Sequence, residues 1–249
     1  MLNKIFSYLS YFFIAICFIS FISSLFFTNF FSSKKTYSKE KTITLKNERG
    51  SNSSYYEWDS YWYDYDYIMY RGTTKVREND VINSGLYKSS INPNTWGELY
   101  KNIYMNDKSK LNLVYPMLDK IWNDNNFSRR KFADVVVSFV QHIPYKLLTK
   151  NMTAFGLYTP LEFMAKMNGD CDTRTVFLYT VLKRYNYDVV ILDSENYLHS
   201  MIGLNISSSG RYKSYRGKRY YTWETTNKGW RLGLLPTEQS NINYWQVAF

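Results

Sequence analysis

The fold turns on Tyr158-Thr-Pro-Leu-Glu-Phe-Met-Ala-Lys-Met-Asn-Gly-Asp-Cys171-Asp-Thr-Arg-Thr-Val-Phe-Leu-Tyr-Thr-Val-Leu-Lys-Arg184. After Cys171 the apolar residues Val176, Phe177, Leu178, Val181 and Leu182 recur at helical spacing, while Gly169 and Asp170 supply a turn and an N-cap. The spacing predicts a helix that Cys171 opens. At such a position the unpaired amide N–H groups and the positive end of the helix dipole stabilise an anion, so a thiolate nucleophile is favoured. Most lone cysteines are small buried hydrophobes. Between two aspartates at a helix start a dry core is a poor fit, and on this stretch alone the two readings stand level.

Acyl transfer from a cysteine needs a base within hydrogen-bond reach and a third group to orient that base. The chain has two histidines. His199 lies between the apolar runs Val189-Val-Ile-Leu192 and Met201-Ile-Gly-Leu-Asn-Ile206, at or near a strand start. Further on, Tyr220-Tyr-Thr-Trp-Glu-Thr-Thr226 alternates, with Tyr220, Thr222 and Glu224 on one face. If these strands pair, Glu224 reaches the imidazole. His142 ends a predicted helix with no carboxylate-bearing strand close behind it, and reads as structural. Gln141 beside it offers an amide that, with the backbone N–H of Cys171, would hold the oxyanion of a tetrahedral intermediate; a capping or solvated glutamine is the equal alternative.

Gly169-Asp-Cys171-Asp-Thr-Arg174 before an amphipathic helix, His199 entering a strand, and Trp223-Glu224-Thr-Thr followed by Gly229-Trp-Arg-Leu-Gly233 resemble the transglutaminase-like superfamily, above all its prokaryotic cysteine proteases. Phe139-Val-Gln-His-Ile-Pro-Tyr145 and Tyr158-Thr-Pro-Leu-Glu162 resemble segments that precede the cysteine in those proteins. The likeness runs from Tyr56 to Trp245 and is concentrated after Phe132. It implies an α+β, papain-like core in which a nucleophile helix packs on an antiparallel sheet. It also implies Cys171 as nucleophile, His199 as general base and Glu224 as orienting carboxylate. Many relatives carry aspartate at the last position, so the strand register must absorb one extra methylene. The activity implied is that of a thiol enzyme acting on peptide or side-chain amide bonds through an acyl-enzyme, first of all a cysteine protease. Transglutaminase or deamidase chemistry, and a catalytically silent protein-binding module, are the alternatives.

Between Lys4 and Lys34 no residue is charged. At about 1.5 Å per residue, residues 5–31 exceed the roughly 30 Å of a bilayer core, which predicts a single transmembrane helix. A signal peptide's apolar region is shorter, about 7–15 residues, and Ile16 stands where a lipoprotein box needs a small residue before Cys17. The expected location is therefore the membrane, single-pass. Lys34, Lys35, Lys39 and Lys41 outnumber Lys4, but large domains translocate regardless of such charge, so the side of the catalytic domain stays open.

Residues 32–53 are polar and aperiodic and read as a tether; 54–249 reads as one domain, with a β-hairpin and helical part over 54–127 and the catalytic core over 128–249. The aromatic run Tyr55–Tyr70 predicts a hairpin turning near Asp59-Ser60. In it, Asp64 and Asp66 share a face; without a glycine-punctuated ligand loop this is a solvated strand face rather than a calcium site. Leu111, Leu113, Val114, Met117, Leu118, Ile121 and Trp122 mark one helix, kinked or started by Pro116. Phe132, Val135, Val136, Phe139 and Val140 mark a second, capped by Ser128 and stopped by Pro144. Tyr187–Leu192 and Leu198–Ile206 read as strands, and Gly229–Gly233 as closing the sheet. The stretch Ser207–Arg219 holds Arg211, Lys213, Arg216, Lys218 and Arg219 and no acid. It reads first as a solvated hairpin tip and second as a surface for anionic substrate or lipid headgroups.

The net charge of +10 is dispersed outside that stretch, and no recognition motif or phosphate-binding loop accompanies it, which argues against a nucleic-acid partner. No His/Cys cluster calls for a metal and nothing calls for a cofactor. The two cysteines, Cys17 and Cys171, make no disulfide framework. The partners expected are a protein or peptide substrate and, through the N-terminal helix, a membrane.

Overall fold

The computed structural model describes residues 41–46, 52–64 and 67–249. The transmembrane helix expected over 5–31 lies outside the described residues; among those described, no helix is long and apolar enough to cross a membrane. Part of the stretch expected to be a tether is strand. β1 (Lys41–Lys46), β2 (Asn52–Asp64) and β3 (Tyr67–Arg77) form an antiparallel sheet in that order.

The hairpin does not turn at Asp59-Ser60. Ser60 pairs with Gly72 in the middle of the ladder, and the strands part only beyond the Asp64–Tyr67 pair. Alternation explains the difference: Trp58, Ser60 and Trp62 take successive inward positions, and all three are buried while Asp59 is exposed. The inward serine is satisfied, since its hydroxyl donates to the Gly72 carbonyl at 2.9 Å and accepts from Thr74 at 2.7 Å. Asp64 forms an ion pair with Lys131; Asp66, expected to share its strand face, lies outside the described residues.

Six helices follow or interleave: α1 (Glu78–Ser90), α2 (Trp96–Asp107), α3 (Tyr115–Asp124), α4 (Arg129–His142), α5 (Pro160–Lys166) and α6 (Cys171–Arg184). Pro116 falls in the first turn of α3 and starts it rather than kinking it. Ser128 caps α4, accepting from the Lys131 N–H at 3.2 Å. Helix α1 escapes hydrophobic periodicity because its inner face is polar: Ser84 donates to Asp107 at 2.6 Å, and buried Lys88 reaches Glu162 at 2.8 Å and the Leu157 carbonyl at 2.7 Å. Glu162 also completes the Thr159 capping box that starts α5.

The second sheet is antiparallel throughout, β4 (Val189–Ser194), β5 (His199–Leu204), β6 (Tyr212–Tyr215), β7 (Lys218–Trp223) and β8 (Gln246–Val247) lying in the order β6-β7-β5-β4-β8. One face, with Val189, Ile191, Ile202, Leu204 and Trp223, joins the main core shared with α6. The other face, with Val190, Leu192, Met201 and Tyr220, is covered by Trp245 and its neighbours in the C-terminal segment. The basic stretch is a hairpin: β6 and β7 turn through Arg216-Gly217, both at positive φ, as a two-residue turn between right-twisted strands requires. Gly229–Gly233 forms no strand; the edge expected there is made by β8. The fold is thus α+β, with the cysteine-bearing helix packed on an antiparallel sheet.

Candidate active site

Cys171 is the first residue of α6. Asp170, in an extended conformation, caps the helix through a carboxylate that accepts from the Thr173 N–H at 3.0 Å. The approach to this cap needs a glycine: a Cβ on Gly169 would stand 2.5 Å from Thr173 Cγ2. The Gly169 carbonyl accepts from the Lys146 N–H at 3.1 Å, which ties the exposed segment after α4 to the nucleophile loop. Cys171 is 7% exposed. Its own N–H lies in the first turn, where the helix offers no acceptor.

His199 opens β5. Its Nε2 stands 2.8 Å from Glu224 Oε2, and Cys171 lies close enough to the ring to act on its titration. Trp245 meets the imidazole edge-on, with centroids 5.9 Å apart. The paired strands set the spacing. Ile202 opposite Trp223 is the last pair of β5 with β7, so Glu224 lies one residue beyond the strand on which the alternation had placed it. Its extra methylene is absorbed by a turn. Oε1 accepts from the Thr225 N–H at 2.8 Å, the Thr226 N–H at 2.7 Å and the Thr226 hydroxyl at 2.6 Å, leaving Oε2 for the histidine.

Cys171, His199 and Glu224 are therefore brought together in the order the spacing suggested. No family model, curated protein or solved structure matches this chain. What the site can do is read from its own geometry and charge. Burial works against a charged imidazole, but the hydrogen bonds and charges of Cys171 and Glu224 outweigh it and push the His199 pKa up to about 10. Burial likewise works against a charged Glu224, and the His199 and Thr226 bonds overcome it, holding the carboxyl down at about 2. At neutral pH the two form an ionised, hydrogen-bonded pair that fixes the ring beside the sulfur. A thiol, a proton-bearing imidazole and an orienting carboxylate in this sequence are equipped for acyl transfer.

Gln141 is placed differently from the expected oxyanion donor. Its amide donates to the Glu224 carbonyl at 2.8 Å and to the Trp230 carbonyl at 3.0 Å, so both hydrogens are engaged in holding the loop that carries the acid. The carbonyls of that loop turn inward without a strand to pair with, and the buried amide satisfies them. His142 is structural here: Nδ1 meets the Ser138 carbonyl at 2.7 Å and the ring stacks on Tyr63 at 3.8 Å.

Sequence reasoning passed over Arg174. Its fully buried guanidinium donates to the carbonyls of Gly169 at 3.1 Å, Val140 at 2.9 Å, Thr225 at 3.0 Å and Ile143 at 2.7 Å. One side chain thus joins the loop before Cys171, the end of Gln141's helix and the residue after Glu224. The signal was available, since an arginine three residues after the cysteine shares its helix face. Asp172, on the next position round the helix, accepts from the Tyr100 hydroxyl at 2.7 Å. Asp193 on β4 has its carboxyl pushed up to about 6, by burial first and then by the charge of Asp172.

Proposed function

We propose that this chain is a thiol enzyme of the transglutaminase-like, papain-like type, held at a membrane by residues 5–31, and that it acts on peptide bonds as a cysteine protease. The single observation that carries the reading is His199, set beside Cys171 and hydrogen-bonded to buried Glu224. In this reading the sulfur attacks the substrate carbonyl carbon, and the oxyanion that forms is received by the Cys171 N–H. The C–N bond then breaks as His199 delivers its proton to the leaving amine, which leaves a thioester on Cys171. Water attacks the thioester, His199 takes the proton of that water, and the C–S bond breaks to release the acid and restore the sulfur. Release by an amine in place of water would give cross-linking, and attack on a glutamine side chain would give deamidation.

The test is incubation of the full chain, in a neutral detergent, with a peptide library beside a Cys171→Ala control, the products being read by mass. Fragments that appear only with Cys171 present support proteolysis. Joined or deamidated peptides assign the transfer chemistry instead. Products that are the same in the two samples remove the enzymatic reading altogether.

A further inference from the structure

The hairpin β6–β7 carries a cleft of about 370 Å³ along Gly210–Ser214, walled by Ile242 and Asn243 of the C-terminal segment. Its floor is fixed by backbone bonds, with the Thr222 hydroxyl adding one to the Arg211 carbonyl at 3.2 Å. The Arg211 N–H donates to Gly233 at 2.7 Å, the Gly233 N–H to Thr222 at 2.7 Å and the Thr222 N–H to Arg211 at 3.1 Å. Two glycines at positive φ make this knot possible: a Cβ on Gly210 would stand 2.2 Å from the Gly233 carbonyl oxygen, and one on Gly233 would stand 1.9 Å from that of Ser209.

The register says which way the strand faces. Arg211, Lys213 and Tyr215 direct their ladder bonds toward Thr222, Tyr220 and Lys218, so the N–H and C=O groups of Tyr212 and Ser214 point away from β7, on the outer edge of the sheet. Four of the five cations are engaged, Lys213 only by a long bond of 3.4 Å from its ammonium to the Ile242 carbonyl across the cleft. Lys218 is paired with Asp188 at 2.6 Å, Arg216 lies over Tyr215 and Arg219 over Tyr212. Arg211 and Lys213, which line the cleft, have no carboxylate partner among the described residues.

We propose that this cleft binds an acidic polypeptide segment in extended conformation, which adds to the outer edge of β6 as a further strand. Backbone pairing with Tyr212 and Ser214 supplies the register, and Arg211 and Lys213 select carboxylates. A short basic edge by itself often serves to keep strands from pairing. Here the rigid floor and the wall opposite set the edge inside a cleft, which a merely protected edge does not require. The site is independent of turnover at Cys171 and is measurable without it.

The test uses the full chain carrying Cys171→Ala in neutral detergent, with a fluorescein-labelled hexapeptide of alternating Glu and Val read by anisotropy. Binding that weakens with salt is expected. Changing both cations, Arg211→Glu with Lys213→Glu, should weaken it at least about tenfold, and N-methylation of alternate peptide residues should also cost about tenfold. A milder pair, Arg211→Gln with Lys213→Gln, must weaken binding in the same direction if the charge reversal disturbs folding. Equal binding of a Lys/Val peptide, equal binding of the methylated peptide, or no response to either pair of substitutions overturns the proposal. So does retention on phosphatidylserine vesicles without any binding of the peptide.

Discussion

Glu224 shows how a buried carboxylate is kept ionised: three donors from its own following turn hold Oε1, and the imidazole holds Oε2. Replacing it with glutamine keeps the shape and removes the charge that keeps His199 protonated. We expect Glu224→Gln to slow iodoacetamide labelling of Cys171 at pH 7 by about tenfold, since an unassisted thiol is only a few per cent thiolate at that pH. The pair also leaves a mark on stability. His199 is raised from 6.5 to about 10, so its contribution is fully present below pH 6.5 and is lost as pH rises toward 10. Glu224 is lowered from 4.5 to about 2, so its contribution is present above pH 4.5 and is lost as pH falls toward 2. Both are complete only between pH 4.5 and 6.5. Urea denaturation of the chain across pH should therefore show a stability advantage over the same chain with His199→Gln that is greatest in this window. An advantage that does not change with pH would contradict the pairing.

The nucleophile loop and the helix it opens were legible because each local signal agreed with the next: a glycine, a capping aspartate, then apolar residues at helical spacing. Gly169 is the tightest of these. An alanine there must displace Thr173, so Gly169→Ala should cost roughly 1–3 kcal/mol in chemical denaturation. Thr173→Ser removes the clashing methyl while keeping the hydroxyl that accepts from the Tyr158 N–H at 2.9 Å, and should recover part of the loss. No recovery would mean that the crowding lies elsewhere. Other elements were hidden for physical reasons. Helix α1 faces the core with Ser84 and Lys88, which apolar periodicity passes over, and β6 is written in Tyr, Lys and Ser, which reads as loop. The hairpin tip was misjudged because Asp59-Ser60 looks like a turn by composition, although Ser60 sits in phase with the inward tryptophans.

Across the whole molecule, composition and spacing pointed to an α+β body with the cysteine before the histidine and the acid, but could not show what clamps these segments together. That clamp is Arg174, a buried cation answered by four carbonyls and by no carboxylate among the described residues. Arg174→Met leaves those acceptors in the dry interior and should destabilise the chain by at least about 3 kcal/mol in urea. Arg174→Lys should recover little, because a compact ammonium lacks the planar fork that reaches separate acceptors. Neither deficit would appear if the guanidinium were incidental. The four acceptors span the chain from Val140 to Thr225, so their convergence cannot be complete until synthesis from the N-terminus has passed Thr225. A nascent chain halted short of Thr225 should carry a thiol whose labelling is indifferent to His199→Gln, with that dependence arising only in longer chains released far enough from the ribosome. On this account the thiol emerges unassisted and gains its dependence on the imidazole only when the segment around Thr225 docks.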